Sequence, residues 1–157
     1  MRSYIRFIIS VVLCQVAGIV GSLFTTSAIP TWYANLKKPF FAPPNWVFAP
    51  VWTTLYLLMG ISLFIVWNTG VEKSSVRKSI AIFSIQLLLN AFWSYLFFGL
   101  KSPLLGLIEI TAMWFMILLT IFSFSKVSRK AALLLVPYLM WVSLASYLNY
   151  SILILNP

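Results

Sequence analysis

The sequence predicts an all-α membrane protein: a bundle of five transmembrane helices with a structured proline- and aromatic-rich loop between helices 1 and 2. Three observations carry this. Of 157 residues, 62% are hydrophobic and only 8% charged, against ~45–50% apolar and ~25% charged in an ordinary soluble domain; a soluble fold of this length cannot hide so much apolar surface. Five apolar stretches of bilayer length use up nearly the whole chain, so 1–157 reads as one transmembrane domain. The Lys and Arg residues fall in the short segments between those stretches. Inside a bilayer each stretch satisfies its own backbone only as a helix, and the short alternating segments of a β-barrel are absent.

The first span covers residues 7–26. Arg2 and Arg6 before it invite a signal-peptide reading, but the apolar run exceeds the ~7–15 residues of such a segment, so it is read as a retained helix with Cys14 as a lipid-facing or packed thiol. The connection that follows, 27–46, carries Trp32, Tyr33, Lys38, Pro39, Pro43 and Pro44, and prolines at this density bar helix until about Trp46. A flexible linker would be polar and Gly/Ser-rich. This one is aromatic, so it should fold back as a lid or pocket wall, although an interfacial aromatic belt also explains its Trp and Tyr.

The second span covers 47–68 and opens on Phe48 and Trp52. The third, 79–100, places Gln86, Asn90, Trp93 and Phe97 on one helical face. Amides in hydrocarbon should face protein or a cavity, and interhelical hydrogen bonding and ligand contact both fit. The fourth, 103–125, holds the one acid inside a span, Glu109, for which pairing with Lys101 and a functional role both stay open. The fifth, 131–155, aligns Tyr138, Trp141, Ala145, Leu148 and Asn149 in one stripe, with Pro137 loosening the helix before it. Depth along the spans brings these stripes together in the half of the bundle beneath the first loop, with Trp141 and Asn90 as a floor. Such a pocket is flat-sided, aromatic and poor in charge, and suits a planar, mostly apolar molecule.

Eight of the eleven basic residues lie on the side of the N-terminus and the 2–3 and 4–5 connections, and three, Lys37, Lys38 and Lys101, on the other. The positive-inside rule then places the N-terminus in the cytoplasm and the C-terminus outside, with the first loop. The +9 charge suits an anionic bilayer surface; no folded basic face exists for nucleic acid. With no histidine and only Glu72 and Glu109 as acids, His-based catalysis and His/Cys zinc sites are excluded. One cysteine excludes an intramolecular disulfide.

The run Trp32-Tyr33, Lys38-Pro39, Pro43-Pro44-x-Trp46-x-Phe48-x-Pro50-x-Trp52, then Gln86-Leu87-x-x-Asn90-x-x-Trp93-Ser94-x-x-Phe97-Phe98, then Pro137-Tyr138-Leu139-x-Trp141 with Ala145 and Leu148-Asn149, resembles the TspO/MBR family, tryptophan-rich sensory proteins related to the mitochondrial translocator protein. The resemblance runs along the whole chain. It implies a five-helix bundle, usually a homodimer, that binds porphyrins and benzodiazepine-like ligands under the first loop, among helices 1, 2, 3 and 5. Carried onto this sequence, the contacts are Trp46, Trp52, Asn90, Trp93, Trp141 and Ala145. The residue pattern adds Phe48, Phe97 and Asn149, with Trp32, Tyr33, Lys38, Pro39, Pro43 and Pro44 as the lid. The sterol pattern of animal members is missing, since Tyr147 and Tyr150 are followed by no basic residue.

The expected function is therefore a membrane receptor for a non-covalently held tetrapyrrole, protoporphyrin IX or haem-type, that senses, sequesters or transports it in a prokaryotic cell membrane. No nucleophile–base pair, metal cluster or nucleotide loop is present. The alternative is light- and oxygen-dependent breakdown of the porphyrin beside Trp52 and Trp141, the two tryptophans that the resemblance ties to that chemistry.

Overall fold

A computed structural model describes residues 1–157 and contains helices and turns but no strand. Five segments are long and apolar enough to cross a membrane. They are α1 (Ser3–Ala28), α2 (Asn45–Trp67), α3 (Ser74–Ser94) with a π-helical turn at Tyr95–Gly99, α4 (Pro103–Ser125), and a fifth span made of α5 (Arg129–Leu134) and α6 (Val136–Leu155).

The helices overrun the hydropathy boundaries where their ends are polar. Helix α3 begins at Ser74 rather than 79, because Ser75, Arg77 and Lys78 continue the helix outside the apolar window. The fifth span breaks at Leu135, two residues before Pro137, whose ring takes the amide hydrogen out of the ladder. Pro50 stays inside α2 and costs only the bond to the Trp46 carbonyl, near the helix start.

The helices close into a ring. Helix α1 packs on α2 and α3, α3 on α4, α4 on α5 and α6, and α2 completes the circuit on α5. Met59, Phe83, Met113, Ile117, Phe124 and Val142 fill the centre and are essentially inaccessible. Cys14 is buried among them. Close approach is set by small residues: a Cβ on Gly60 would lie 2.7 Å from the Val11 Cα, and the Ser62 hydroxyl donates to the Ala131 carbonyl at 2.7 Å. Gly18 and Gly21 meet the Tyr56 ring and the Ser94 side chain, so these small residues of α1 serve packing within the chain.

The first loop and the C-terminus share one end of the bundle. Asn156 grips the loop backbone twice, its Oδ1 accepting from the Lys37 amide at 3.0 Å and its Nδ2 donating to the Lys37 carbonyl at 2.9 Å. At the other end Arg6 reaches Asn68 at 3.4 Å.

Candidate ligand cavity

Beneath the loop lies a cavity of about 300 Å³, at the lower end of the usual range for small-molecule sites. No charged residue lines it. Helix α2 contributes Phe48 and Trp52, α3 contributes Asn90 and Trp93, and the π-helical turn contributes Phe97. Helix α6 supplies Trp141, Ala145 and Asn149. The rings face one another at contact distance. Trp93 stacks on Phe97 with centroids 5.1 Å apart, Phe48 meets Trp141 at 6.1 Å, and Trp52 stacks on Tyr56 at 5.6 Å. The π-helical turn turns the consecutive Phe97 and Phe98 both inward, leaving them 2% and 7% exposed; such turns recur at functional sites.

Trp46 does not join them. It is 75% exposed and is not part of the cavity wall. Positions 46 and 48 lie about 200° apart around a helix, whereas 48 and 52 lie within about 40°. Once Phe48 and Trp52 point inward, Trp46 points out.

The lid residues divide by role. Tyr33 lines the cavity and is 2% exposed. Trp32 packs edge-on against Phe97 and Phe98. Lys38 Nζ sits 4.7 Å over the Tyr33 ring and donates to the Leu36 carbonyl. Pro39 and Pro43 are half-buried, and Pro44 is the exposed cap before α2. Burial pushes the Tyr33 phenol up to about 12.

The amides are committed to the fold. Asn90 Oδ1 accepts from the Tyr56 hydroxyl, and its Nδ2 donates to Tyr138 Oη at 2.7 Å. That hydroxyl in turn donates to Gln86 Oε1 at 2.9 Å. Asn149 Oδ1 accepts from Trp93 Nε1 at 3.2 Å while its Nδ2 donates to the Pro103 carbonyl at 2.7 Å. Interhelical bonding therefore engages both asparagines, each amide oxygen and nitrogen holding one partner while they remain wall elements. Two polar groups on cavity-lining residues are buried without a partner: Trp141 Nε1 and the Tyr33 hydroxyl.

Glu109 lies outside the cavity wall. It is 6% exposed, and neither carboxyl oxygen has a partner. Pairing with Lys101 does not form: Lys101 stands at a left-handed turn (φ 53°), exposed beside Leu23, Phe24 and Thr31.

The family model described as the TspO/MBR family matches residues 10–155. The chain belongs to the TspO/MBR family. It is 50% identical to the tryptophan-rich protein TspO of Chlorobaculum tepidum over 92% of both chains. It is 34% identical to the tryptophan-rich sensory protein of Cereibacter sphaeroides, over 87% of this chain and 85% of that one. To the human translocator protein it is 37% identical, over 85% of this chain and 79% of the relative. It is thus an integral membrane protein of the TspO/MBR type.

The resemblance implied helix 1 as a wall of the pocket, but sequence reasoning named none of its residues. Gln15, Gly18, Gly21, Ser22 and Thr25 line the cavity from α1. The available signal was the run of small and hydroxyl residues on the loop side of the first span, which reads equally well as a helix–helix packing face. Asn156 was also missed; nothing in a terminal asparagine announces that it holds a loop 119 positions away.

Proposed function

We propose that this TspO/MBR protein is a receptor for a planar, mostly apolar ligand of the tetrapyrrole class, protoporphyrin IX being the test case, which it senses, sequesters or transports. The observation that carries the reading is the uncharged cavity walled by Trp52, Trp93 and Trp141. It offers flat π-faces for stacking. The proposed setting is a prokaryotic cell membrane with the N-terminus cytoplasmic and the loop outside.

The test is a titration of detergent-purified protein with protoporphyrin IX in the dark, following tryptophan quenching, with free tryptophan and unrelated membrane proteins as controls. Saturation at a defined stoichiometry that Trp141→Ala abolishes is the expected result. Non-saturating partitioning, indifferent to the substitution, overturns the reading.

The second reading, photo-oxidative breakdown of a bound porphyrin, is favoured by one observation: Trp52 and Trp141 both line the cavity. Light and oxygen should then yield product with wild type and less with Trp52→Phe and Trp141→Phe. Equal rates reduce the protein to a passive host.

A further inference from the structure

We propose that the cavity exchanges its ligand with the bilayer through the seam between α1 and α2, and not across the 30–44 loop. This rests on the reading of the cavity as a ligand site.

The two helices are closed at the end away from the loop. Phe7 meets Phe64 edge-to-face at 5.4 Å, and the absent side chain of Gly60 lets the Val11 backbone in. Farther along, Gln15 Nε2 donates to the Thr53 carbonyl at 3.2 Å. Beyond that bond, towards the loop, no hydrogen bond joins α1 to α2. The edges of the seam there are formed by Ile19, Ser22 and Thr26 on α1 and by Asn45, Ala49 and Thr53 on α2, all exposed and all lining the cavity, and apart from Ile19 their side chains are short. The same residues thus face bilayer and cavity at once, as the rim of an opening must. Helix α1 is also the least embedded span, with 17% of its apolar window buried against 28–39% in the others.

The seam is chemically quiet. The hydroxyls of Ser22, Thr26 and Thr53 donate to carbonyls of their own helices, those of Ile19, Ser22 and Ala49, at 2.7–2.9 Å. An apolar ring sliding between the edges therefore breaks none of these hydrogen bonds, and the one unpaired amide at the rim, Asn45, stands at the headgroup end of the opening. Thr53 lies eight residues into α2, about 12 Å at ~1.5 Å per residue, so the opening spans most of one leaflet of a ~30 Å hydrocarbon core. Trp46, excluded from the cavity wall, stands on the same face of α2 as Ala49 and Thr53, at the headgroup end where tryptophan is favoured.

The loop route is shut by comparison. Passage there would break both bonds between Asn156 and the Lys37 backbone. It would also part the stack of Phe41 on Tyr147, with centroids 5.0 Å apart and planes 3° from parallel, and lift the buried Tyr33 ring. A lateral opening selects ligands that dissolve in the membrane and can enter edge-first.

The experiment uses the full chain in lipid nanodiscs, with stopped-flow tryptophan quenching by protoporphyrin IX for association and displacement for dissociation. Ala49→Phe and Ser22→Phe each narrow the seam from one side, so that misfolding of one leaves the other. In parallel, Lys37→Cys with Asn156→Cys locks the loop when oxidised; the native Cys14 is fully buried and does not compete. The expected result is that each Phe variant slows association and dissociation together, by tenfold or more, while the locked loop exchanges at the wild-type rate. Slowing by the locked loop with unchanged rates in both Phe variants overturns the portal and leaves the ligand site standing. Faster dissociation in the Phe variants, without slower association, also overturns it, because that reports a damaged site rather than an obstructed path. Absence of saturable binding by wild type removes the ligand site and the portal together.

Discussion

Asn90 Nδ2 donates to the Tyr138 hydroxyl at 2.7 Å across the α3–α6 interface, and the same amide accepts from Tyr56 on α2. One side chain thus ties three helices at the floor of the cavity. Tyr138 is wholly buried and passes the chain on to Gln86, so truncating any member strands the next.

Asn90→Ala is expected to lower stability by about 1–3 kcal/mol, since it leaves the Tyr56 and Tyr138 hydroxyls short of a partner in an apolar interior. Asn90→Asp keeps the acceptor but puts an ionisable carboxyl without a cationic partner into the apolar interior, and should cost more than Asn90→Ala. Equilibrium unfolding in mixed micelles checks the order. An Asn90→Ala variant as stable as wild type would show the network to be idle.

Trp141→Phe removes a buried N–H that has no partner and keeps most of the ring. The free protein should be as stable as wild type or slightly more so. Because that N–H is buried away from the cavity surface, affinity should follow the lost stacking area, falling alike for a ligand with edge acceptors and for a planar hydrocarbon of similar size. Parallel titrations with the two ligand types separate the hydrogen bond from stacking.

Gly60→Val is expected to force α1 from α2, because its Cβ alone would come within 2.7 Å of the Val11 backbone and a backbone cannot rotate away. Overpacking of this kind costs roughly 1–3 kcal/mol. Thermal unfolding should show it. Gly21→Ala, whose nearest neighbour is the Ser94 hydroxyl at 3.0 Å, should be the milder change.

The Tyr33 phenol gives the loop a pH signature. Burial raises it from its ordinary value of 10.0 to about 12, so the unfolded chain ionises first. Its contribution to stability is full below pH 10, and is lost as the pH rises from 10 through about 12. Stability measured across that window should decline less steeply in Tyr33→Phe than in wild type. Identical slopes would mean that the phenol is solvated.

How much of this was legible in the sequence follows from the range over which each force acts. Hydropathy is local, so the five spans could be read from composition, and errors stayed at ends such as 74–78, where polar residues continue a helix beyond the apolar slab. Helical periodicity is local too, and it grouped Asn90 with Trp93 and Trp141 with Ala145 and Asn149. Trp46 failed because a motif names residues without fixing their azimuth, and one helix cannot point both 46 and 48 inward.

The sequence by itself determined that the chain crosses the membrane, how often, and that aromatic faces of the second, third and fifth spans meet beneath the first loop. Only the tertiary structure decided what those faces leave unspent. It paired the Asn90 and Asn149 amides with other helices and left Trp141 and Tyr33 without partners. It also placed small residues of α1 along the cavity wall. The physical reason is that hydrogen-bond satisfaction and seam width depend on pairs of residues brought together from distant helices, and no single stretch of sequence contains both members of such a pair.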